Sequence, residues 1–370
     1  MKKNIIINGN SIEEMNKMEP NSVDLIFADP PYWMRVEGVL KRVEGTDFDG
    51  CDDEWDQFES LEDYEKFTTE WLTACYRILK PNGSIWVIGG MQCIYTIGAI
   101  MQRIGFWLIN DVIWYKKNPT PNFMGTRLNN SHETLIWATK SKNTKFTFNY
   151  KTAKELNLDT VSEEEYNKGV RKQMGSVWRI ALCSGNERLK NDDGKKVHST
   201  QKPFELLEKL IAISSKKGDL VLDPFGGTMT TGAAAKKLGR DYIMIEREKE
   251  YCEYGQKRLD EIEFVDDDIA RATYDVKPLK VTVPEMIDAG YLKSGEGFYF
   301  KTGDEVAKLQ EDGKLLYDGE VIDMHSCAAK ARGVKANRLN GFDYWYVMRD
   351  GERKSIADVR EEYRIFKSSK

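Results

Sequence analysis

The stretch LVLDPFGGTMTTGAAAKKLGRDYIMIE, residues 220–246, decides the fold of this chain. Its apolar start, residues 220–222, predicts a buried strand, and the glycines that follow predict a tight turn into a helix over residues 230–238. A second apolar run, residues 242–245, then ends at Glu246. Strand, turn, helix and strand in this order predict a parallel α/β sheet, in which ligands bind at the carboxyl ends of strands.

The same stretch has the layout of an adenosine-binding site. Gly226 and Gly227 allow the backbone to approach a ligand closely, and Glu246, about 20 residues later, can accept hydrogen bonds from ribose hydroxyls. The chain has neither the pyrophosphate fingerprint GxGxxG at this turn nor the phosphate loop GxxxxGK[ST]. A nucleoside without phosphates, such as S-adenosylmethionine, therefore fits the pattern, and an ordinary glycine-rich turn is the alternative.

Strands and helices alternate outward from this stretch. Further strands are predicted at 23–28, 84–88, 106–114 and 134–138, and further helices at 61–79, 94–104, 204–214 and 249–262. The pattern predicts a doubly wound, mostly parallel, Rossmann-like α/β sheet. From about residue 281 short strand-like pieces separated by glycines predict a small C-terminal α+β domain. The expected division is a catalytic domain over 1–265 with an insert at about 115–199, a linker over 266–280 and the C-terminal domain over 281–370.

Composition limits the class of protein. The 370 residues are 41% hydrophobic and 31% charged, which excludes a disordered tail and a collagen-like chain. No apolar run reaches the ~18 residues of a membrane helix. Six scattered cysteines without a CxxC pair, and three distant histidines, argue against structural zinc and for a reduced, cytoplasmic protein. The net charge of −5 argues weakly against nucleic acid, but the stretches 115–145 and 330–338 are locally basic.

A second motif, Asp29-Pro30-Pro31-Tyr32, directly follows the predicted strand at 23–28. The two prolines remove two backbone donors and stiffen the turn, so that its carbonyl groups point outward. Two acceptors beside an aromatic face suit a primary amine. The alternative is a proline-rich turn that begins with a capping Asp29.

Together with His198-Ser199-Thr200-Gln201-Lys202-Pro203, these motifs resemble those of the amino-methylating DNA methyltransferases of the β class, in which the catalytic motif precedes the cofactor motif in a circularly permuted order. The segment from Asn118 to Thr134 resembles the HinfI/CcrM-like adenine subgroup, and the tail resembles its RAMA-type domain, which implies a DNA-recognition role. The resemblance implies transfer of a methyl group from S-adenosylmethionine to adenine N6 in duplex DNA, with base flipping, S-adenosylhomocysteine as product and GANTC as the site.

The resemblance and the residue types together assign three groups of residues. The catalytic group is Asp29, Pro30, Pro31 and Tyr32. The residues expected to bind the cofactor are Asn10, Ser11, Ile12, His198, Thr200, Gln201, Lys202, Asp223, Pro224, Phe225, Gly227, Thr228, Thr230 and Glu246. The residues expected to contact DNA are Trp33, Arg35, Lys41, Arg42, Lys116, Asn122, Arg127, Asn129, Asn130, His132, Lys330, Arg332, Lys335 and Arg338. No metal ligand is expected.

Two residues depart from the family pattern. Met229 stands where the family has the second glycine of F-x-G-x-G, and Asn10 stands where it often has Asp. A Met229 side chain that points inward would crowd the cofactor; at negative φ, as the first residue of the helix, it would point away. This departure motivates a competing interpretation, a DNA-binding module with a degenerate cofactor pocket.

The residue types alone leave open which base is methylated and what the insert and the tail do. Cytosine N4 is also an exocyclic amine, although Asp rather than Ser at position 29 resembles the adenine enzymes. A cytosine-C5 enzyme needs a Pro-Cys pair, and none of the ten prolines precedes a cysteine. The insert is either a target-recognition region or a surface excursion, and the tail either binds DNA or stabilises an oligomer.

The expected partners are double-stranded DNA and a second copy of the chain, with a restriction endonuclease acting on the same site but not bound. No membrane is expected, and the protein is expected in the prokaryotic cytoplasm, at the nucleoid.

Overall fold

The computed structural model describes residues 2–34, 40–41, 47–48, 56–122 and 125–368, with backbone alone at 40–41 and 47–48. The chain divides into two compact units, Met1–Val276 and Lys277–Lys370.

The first unit is built on a mixed eight-stranded sheet in the order β1-β10-β9-β2-β5-β7-β6-β8. Strand β7 runs antiparallel to its neighbours β5 and β6, and the other neighbouring pairs are parallel. The strands of this unit are β1 (Ile5–Asn8), β2 (Val23–Ala28), β3 (Leu40–Lys41), β4 (Asp47–Phe48), β5 (Leu79–Gly89), β6 (Trp107–Lys116), β7 (His132–Thr139), β8 (Val177–Ile180), β9 (Leu220–Asp223) and β10 (Asp241–Glu246), of which β3 and β4 form a separate hairpin.

Helices cover both faces of this sheet. They are α1 (Ser11–Lys17), α2 (Leu61–Ile78), α3 (Ile94–Ile104), α4 (Tyr150–Glu155), α5 (Glu163–Asn167), α6 (Phe204–Ser214), α7 (Thr230–Lys237), α8 (Lys249–Glu261) and α9 (Asp268–Arg271). Successive residues of a strand point to opposite faces, so Phe27 and Trp86 enter one apolar core while Ile26 and Ile85 enter the other. This two-sided burial explains why the strands read as continuous apolar runs.

Local signals in the sequence set most boundaries. Helix α2 begins after Ser60, whose side chain accepts from the Asp63 N–H, and α3 ends at Gly105 with φ of 113°. Residues 80–83, between the predicted helix at 61–79 and the predicted strand at 84–88, form an irregularity inside a strand. Val23 pairs with Leu79 and Leu25 pairs with Ser84, so residues 80–83 lie outside the register of β2 and β5. Strand β5 therefore starts directly at the end of α2.

The insert predicted at about 115–199 is not a separate excursion from the sheet. It contains β7, which lies between β5 and β6, and β8, which extends the sheet beyond β6. Trp137 on β7 stacks on Trp86 with ring centroids 4.8 Å apart, because both indoles belong to one core. The parts of the insert outside the sheet are the β6–β7 loop and the segments on either side of β8.

The linker predicted at 266–280 also differs from the structure. Residues as far as Val276 belong to the first unit. Asp267 caps α9, and both oxygens of Asp275 accept from the start of α4, at the Lys151 and Thr152 backbone N–H groups. Asp267 and Asp275 thus accept from backbone donors, although Asp267 is exposed and Asp275 only half-buried.

The second unit has a six-stranded antiparallel sheet in the order β14-β13-β12-β11-β15-β16. Its elements are α10 (Val283–Asp288), β11 (Gly297–Tyr299), β12 (Glu305–Leu309), β13 (Leu315–Tyr317), β14 (Glu320–Ile322), α11 (Met324–Ala331), β15 (Tyr346–Arg349), β16 (Glu352–Ser355) and α12 (Ile356–Ser368). A core around Phe298 and Trp345 is its own. Among the described residues no helix is long and apolar enough to cross a bilayer, and no group of three or more metal-ligating side chains converges.

Candidate active site

A cavity of about 340 Å³ lies at the carboxyl ends of β1, β2, β9 and β10. It brings the three sequence motifs together. The predicted site residues that line it are Asn10, Ser11, Asp29, Pro30, Pro31, Tyr32, His198, Thr200, Gln201, Lys202, Asp223, Pro224, Phe225, Gly227, Thr228, Thr230 and Glu246. Residues 198–202 precede α6 and reach this edge of the sheet from the other end of the insert.

Asp29 follows β2 and is held by a lysine. Lys202 Nζ donates to Asp29 Oδ2 at 2.6 Å, and the two side chains are 7% and 17% exposed for Lys202 and Asp29. The same ammonium lies 5.2 Å from the centre of the Tyr32 ring. Lys202, predicted to bind the cofactor, lines the cavity, and its ammonium contacts the catalytic turn.

Glu133 is a member of this site that sequence reasoning missed. It lies on β7, where Tyr32 Oη donates to its Oε2 at 2.9 Å and Lys116 Nζ pairs with its Oε1 at 2.7 Å. The Lys116 and Glu133 side chains are 13% and 14% exposed. Lys116 was predicted to contact DNA, but its charge is taken up inside the protein. No local signal marks Glu133, because its place depends on the sheet: β7 lies one strand beyond β2, across β5, and runs antiparallel to β5, so its first residues lie at the edge where β2 ends.

Burial and charge act together on these groups. Burial raises the pKa of Asp29, against the opposing effect of Lys202. Burial alone would lower the pKa of Lys202, but Asp29 and Glu133 outweigh it and raise the pKa. The pKa of Glu133 is lowered, since Lys202 and Lys116 outweigh its burial. Short contacts therefore join Asp29 to Lys202 and Glu133 to Lys116 within one cluster.

The other end of the cavity carries two carboxylates on neighbouring strands. Asp223, at the end of β9, accepts from the Phe225 N–H at 2.9 Å and from the Thr231 hydroxyl at 2.6 Å, and burial raises its pKa to about 7. Glu246, at the end of β10, accepts from the Gly227 N–H at 2.7 Å. Gly227 has φ of 50°, a conformation that favours glycine.

These residues fit a nucleoside carrying a positive sulfonium group. Two carboxylates are the acceptors that ribose hydroxyls and a cation need, and the rings of Phe67 and Phe225 supply apolar faces in the same cavity. His198 also lines the cavity, and burial lowers its pKa to about 4, so it is neutral at physiological pH.

Met229 differs from both expectations for it. Its φ is 59°, in the left-handed region, although negative φ was the expectation for a first helical residue. Its side chain is fully buried in the core and packs against Gly226 and Gly255. It is absent from the residues that line the cavity within the described chain. The side chain therefore does not crowd the cofactor site, and the left-handed backbone at this position is one that glycine adopts without strain.

Several predicted cofactor residues use their polar groups within the protein. Asn10 caps α1, where its side chain accepts from the Ile12 and Glu13 N–H groups. Ile12 is not among the described residues that line the cavity. Gln201 accepts from the Leu189 N–H and donates to the Glu187 carbonyl, which ties the motif to the insert.

The structure also adds cavity residues for which the sequence carried no separate signal. They come from the end of the catalytic turn, from α2 and the residues just before it, and from the residues around the start of α8. These residues are Met34, Asp56, Gln57, Phe58, Phe67, Arg247, Glu248 and Tyr251.

The predicted DNA contacts separate into groups. Arg127, Asn129, Asn130 and His132 are exposed on the β6–β7 loop or at the start of β7, and Asn122 there donates to the Arg127 carbonyl. Trp33 is instead packed in the catalytic turn, where its ring stacks on Tyr64 at 5.8 Å. Arg35 and Arg42 lie outside the described residues, as does the Lys41 side chain.

Two basic side chains of the stretch 330–338 in the second unit form ion pairs with acidic residues of the same unit. Lys330 pairs with Glu320 at 2.6 Å and Arg338 with Asp323 at 3.1 Å, because β14 and its end lie beside this stretch. The guanidinium of Arg332 lies over the ring of Tyr344. Lys335 is exposed.

Comparisons with known proteins agree with this geometry. The profile of the DNA methylase family that covers N6 and N4 enzymes matches residues 23–257. The chain is 47% identical over 360 residues to the Type II methyltransferase M.HinfI of Haemophilus influenzae, covering 97% of this chain and 96% of that protein. It is 38% identical over 259 residues to the Type II methyltransferase M2.DpnII of Streptococcus pneumoniae, covering 70% of this chain and 90% of that one. The fold resembles the solved PvuII DNA methyltransferase (cytosine-N4-specific), with a TM-score of 0.50 and 21% identity, over 73% of this chain and 93% of that one.

Proposed function

The chain belongs to the DNA methylase family, and on that premise we propose that it methylates the N6 amine of adenine in duplex DNA, at the site GANTC. S-adenosylmethionine is the methyl donor, as for the methyltransferases of restriction–modification systems. The observation that carries the proposal is that Asp29 and Pro30 line the same cavity as Asp223 and Glu246.

The catalytic turn offers the amine what it lacks. The lone pair of an exocyclic amine is delocalised into the base, so the amine is a poor nucleophile. When the Asp29 carboxylate and the Pro30 carbonyl each accept one N–H, the nitrogen is drawn toward tetrahedral geometry and its lone pair becomes available. Fixed acceptors in a water-excluded site contribute through positioning and electrostatics.

The neighbours of the turn define which acceptors remain. The Tyr64 hydroxyl donates to the Pro31 carbonyl at 3.0 Å, so that carbonyl is already used. Within the described part of the chain, no donor is bonded to the Pro30 carbonyl. A base in a duplex cannot reach this turn unless it is flipped out, and Tyr32 is the ring on which it would stack.

Adenine is favoured over cytosine by the resemblance of Asp29 to the adenine enzymes and by the identity to M.HinfI along nearly the whole chain. The site GANTC rests on the same relationship. The exposed Asn and Arg side chains of the β6–β7 loop support it, since Arg pairs with guanine and Asn with adenine. The competing interpretation, a DNA-binding module that binds no cofactor, rested on Met229 crowding the cofactor site. Met229 is packed in the core, so this reason no longer applies.

The remaining assignments extend this proposal. The unit Lys277–Lys370 acts as a DNA-recognition domain, with Lys335 exposed on it. The enzyme acts as a homodimer in the bacterial cytoplasm, beside an endonuclease that cuts the same site without binding it.

The test is methylation in cells that lack methylated GANTC. Plasmid from cells that express the chain should resist a nuclease specific for GANTC and remain cleavable at GATC. Nucleoside mass spectrometry should then find N6-methyladenine, and Asp29→Ala, produced at the same level, should give neither result. Protection at GATC alone would refute the site, and N4-methylcytosine would refute the base. No methylated nucleoside at all would refute the activity.

A further inference from the structure

The catalytic turn has a backbone that cannot stabilise itself. Pro30 and Pro31 have no N–H, and the next residues leave the sheet, so the N–H groups of Tyr32, Trp33 and Met34 find no strand partner. Trp33 has φ of 52°, in the left-handed region, which strains a residue that carries a Cβ atom. A group outside the turn must therefore accept from these N–H groups and stabilise the left-handed conformation of Trp33.

A single carboxylate accepts all three N–H groups. Asp56 Oδ1 accepts from the Tyr32 N–H at 2.6 Å and the Trp33 N–H at 2.7 Å, and Oδ2 accepts from the Met34 N–H at 2.7 Å. Asp56 is 6% exposed. Successive N–H groups around a left-handed residue form a concave anion site. Here the anion is a side chain of the same protein, 24 residues after Tyr32.

The residues around Asp56 hold the turn from the same side. The Trp33 indole N–H donates to the Phe58 carbonyl at 3.1 Å, and the Trp33 ring stacks on Tyr64. The Tyr64 hydroxyl donates in turn to the Pro31 carbonyl. Both the amide side and one carbonyl of the turn are thereby fixed, and the orientation of the Pro30 carbonyl and the Tyr32 ring follows from them.

We propose that Asp56 is a positioning residue for methyl transfer: its carboxylate holds the backbone of Tyr32 to Met34 so that the Pro30 carbonyl and the Tyr32 ring meet the target base. This inference rests on the proposed function. The role requires two acceptor oxygens and no donor. Asparagine has the same shape but one oxygen, and its NH₂ group would face a backbone N–H.

The experiment compares Asp56→Asn with Glu62→Gln, which removes one negative charge from an exposed position on α2. Single-turnover methylation of a duplex containing GANTC should fall about a hundredfold in Asp56→Asn, the scale expected when reacting groups are displaced by about 1 Å. Glu62→Gln should match the wild type. Calorimetry should show an unchanged affinity of Asp56→Asn for S-adenosylmethionine, so that turnover and cofactor binding separate.

Chemical rescue distinguishes positioning from a general loss of structure. In Asp56→Ala, added formate can occupy the space of the missing carboxylate and accept the same N–H groups, so turnover should recover with formate and not with chloride at equal ionic strength. Wild-type turnover in Asp56→Asn, or no response to formate in Asp56→Ala, overturns the proposal. Wild-type enzyme is assayed on the same duplex, and if it transfers no methyl group the proposed function fails instead.

Discussion

Replacing Met229 by glycine has two opposing effects on stability. The substitution restores glycine at a position with φ of 59°, which removes a strain of roughly 1–2 kcal/mol. It also removes a side chain that is 0% exposed in the core between α7 and α8, and truncations of this kind cost about 2–5 kcal/mol. Subtracting the relieved strain from the cavity cost leaves a net loss of about 0–4 kcal/mol in the free energy of unfolding of Met229→Gly.

Gly255 on α8 supplies the matched second site. A Cβ built on Gly255 would overlap the Met229 Cγ atom, so Gly255→Ala should destabilise the wild type by about 1–3 kcal/mol through overpacking. In the Met229→Gly background that overlap is gone. There the alanine fills space and gains about 0.8–1.0 kcal/mol of helix propensity, so the same change should stabilise the protein.

The measurement is urea unfolding of the four proteins of this cycle, followed by tryptophan fluorescence. The expected result is a change of sign for Gly255→Ala between the two backgrounds. An equal effect in both would refute the packing that we describe. Methyl transfer at saturating cofactor should be unchanged in Met229→Gly below its unfolding temperature, since the side chain does not line the cavity.

Four further outcomes follow from the site. Lys202→Gln should slow single-turnover methylation far more than it weakens cofactor binding, because it leaves Asp29 buried without its cation; an equal loss in both assays would restore a cofactor role for Lys202. Glu246→Ala should weaken S-adenosylmethionine binding by roughly 1.5–3 kcal/mol in calorimetry, and an unchanged affinity would show that the ribose lies elsewhere. The pKa of Asp223 is raised to about 7, so the folded state holds this proton more tightly than the unfolded state does, and the free energy of unfolding should fall as pH rises from 4 to 7. Urea titrations at both pH values should show a smaller fall for Asp223→Asn than for the wild type. An equal fall in the two proteins would contradict this. Lys335→Ala should reduce the salt dependence of DNA binding by about one unit of slope in fluorescence anisotropy, whereas an identical slope would place Lys335 away from phosphate.

The sequence predicted those parts of the molecule that depend on neighbouring residues along the chain. The strand at 23–28 and the turn after Asp223 were predictable because an apolar run and a motif stand side by side. The helix predicted at 94–104 ends where expected because a glycine, Gly105, follows its last residue. Parallel strands place such motifs at one edge of the sheet, so the meeting of Asp29 with Glu246 in one cavity followed from fold class alone.

What the sequence could not predict depends on contacts between distant segments. Asp56 lies in an acidic stretch that resembles a solvated face, and its role exists only because the turn after Pro31 is folded against it. Lys330 belongs to a run without acids, yet Glu320 reaches it from β14. In both cases linear charge patterns fail because ion pairs and hydrogen bonds form in three dimensions.

Lys116 shows why this matters for interpreting mutants of the site. It was predicted as a DNA contact from its place in a basic stretch, but it neutralises Glu133, which in turn holds the Tyr32 hydroxyl. Removing Lys116 would leave Glu133 buried without this cation. The repulsion between Glu133 and Asp29 would then be less compensated, and the free energy of the ionised form of each carboxylate would rise. A loss of activity in such a mutant would therefore be explained by the broken Lys116–Glu133 pair as well as by a lost phosphate contact, and activity alone does not separate the two. Phosphate contacts are recognised by the salt dependence of DNA binding, which the charge balance inside the site does not set.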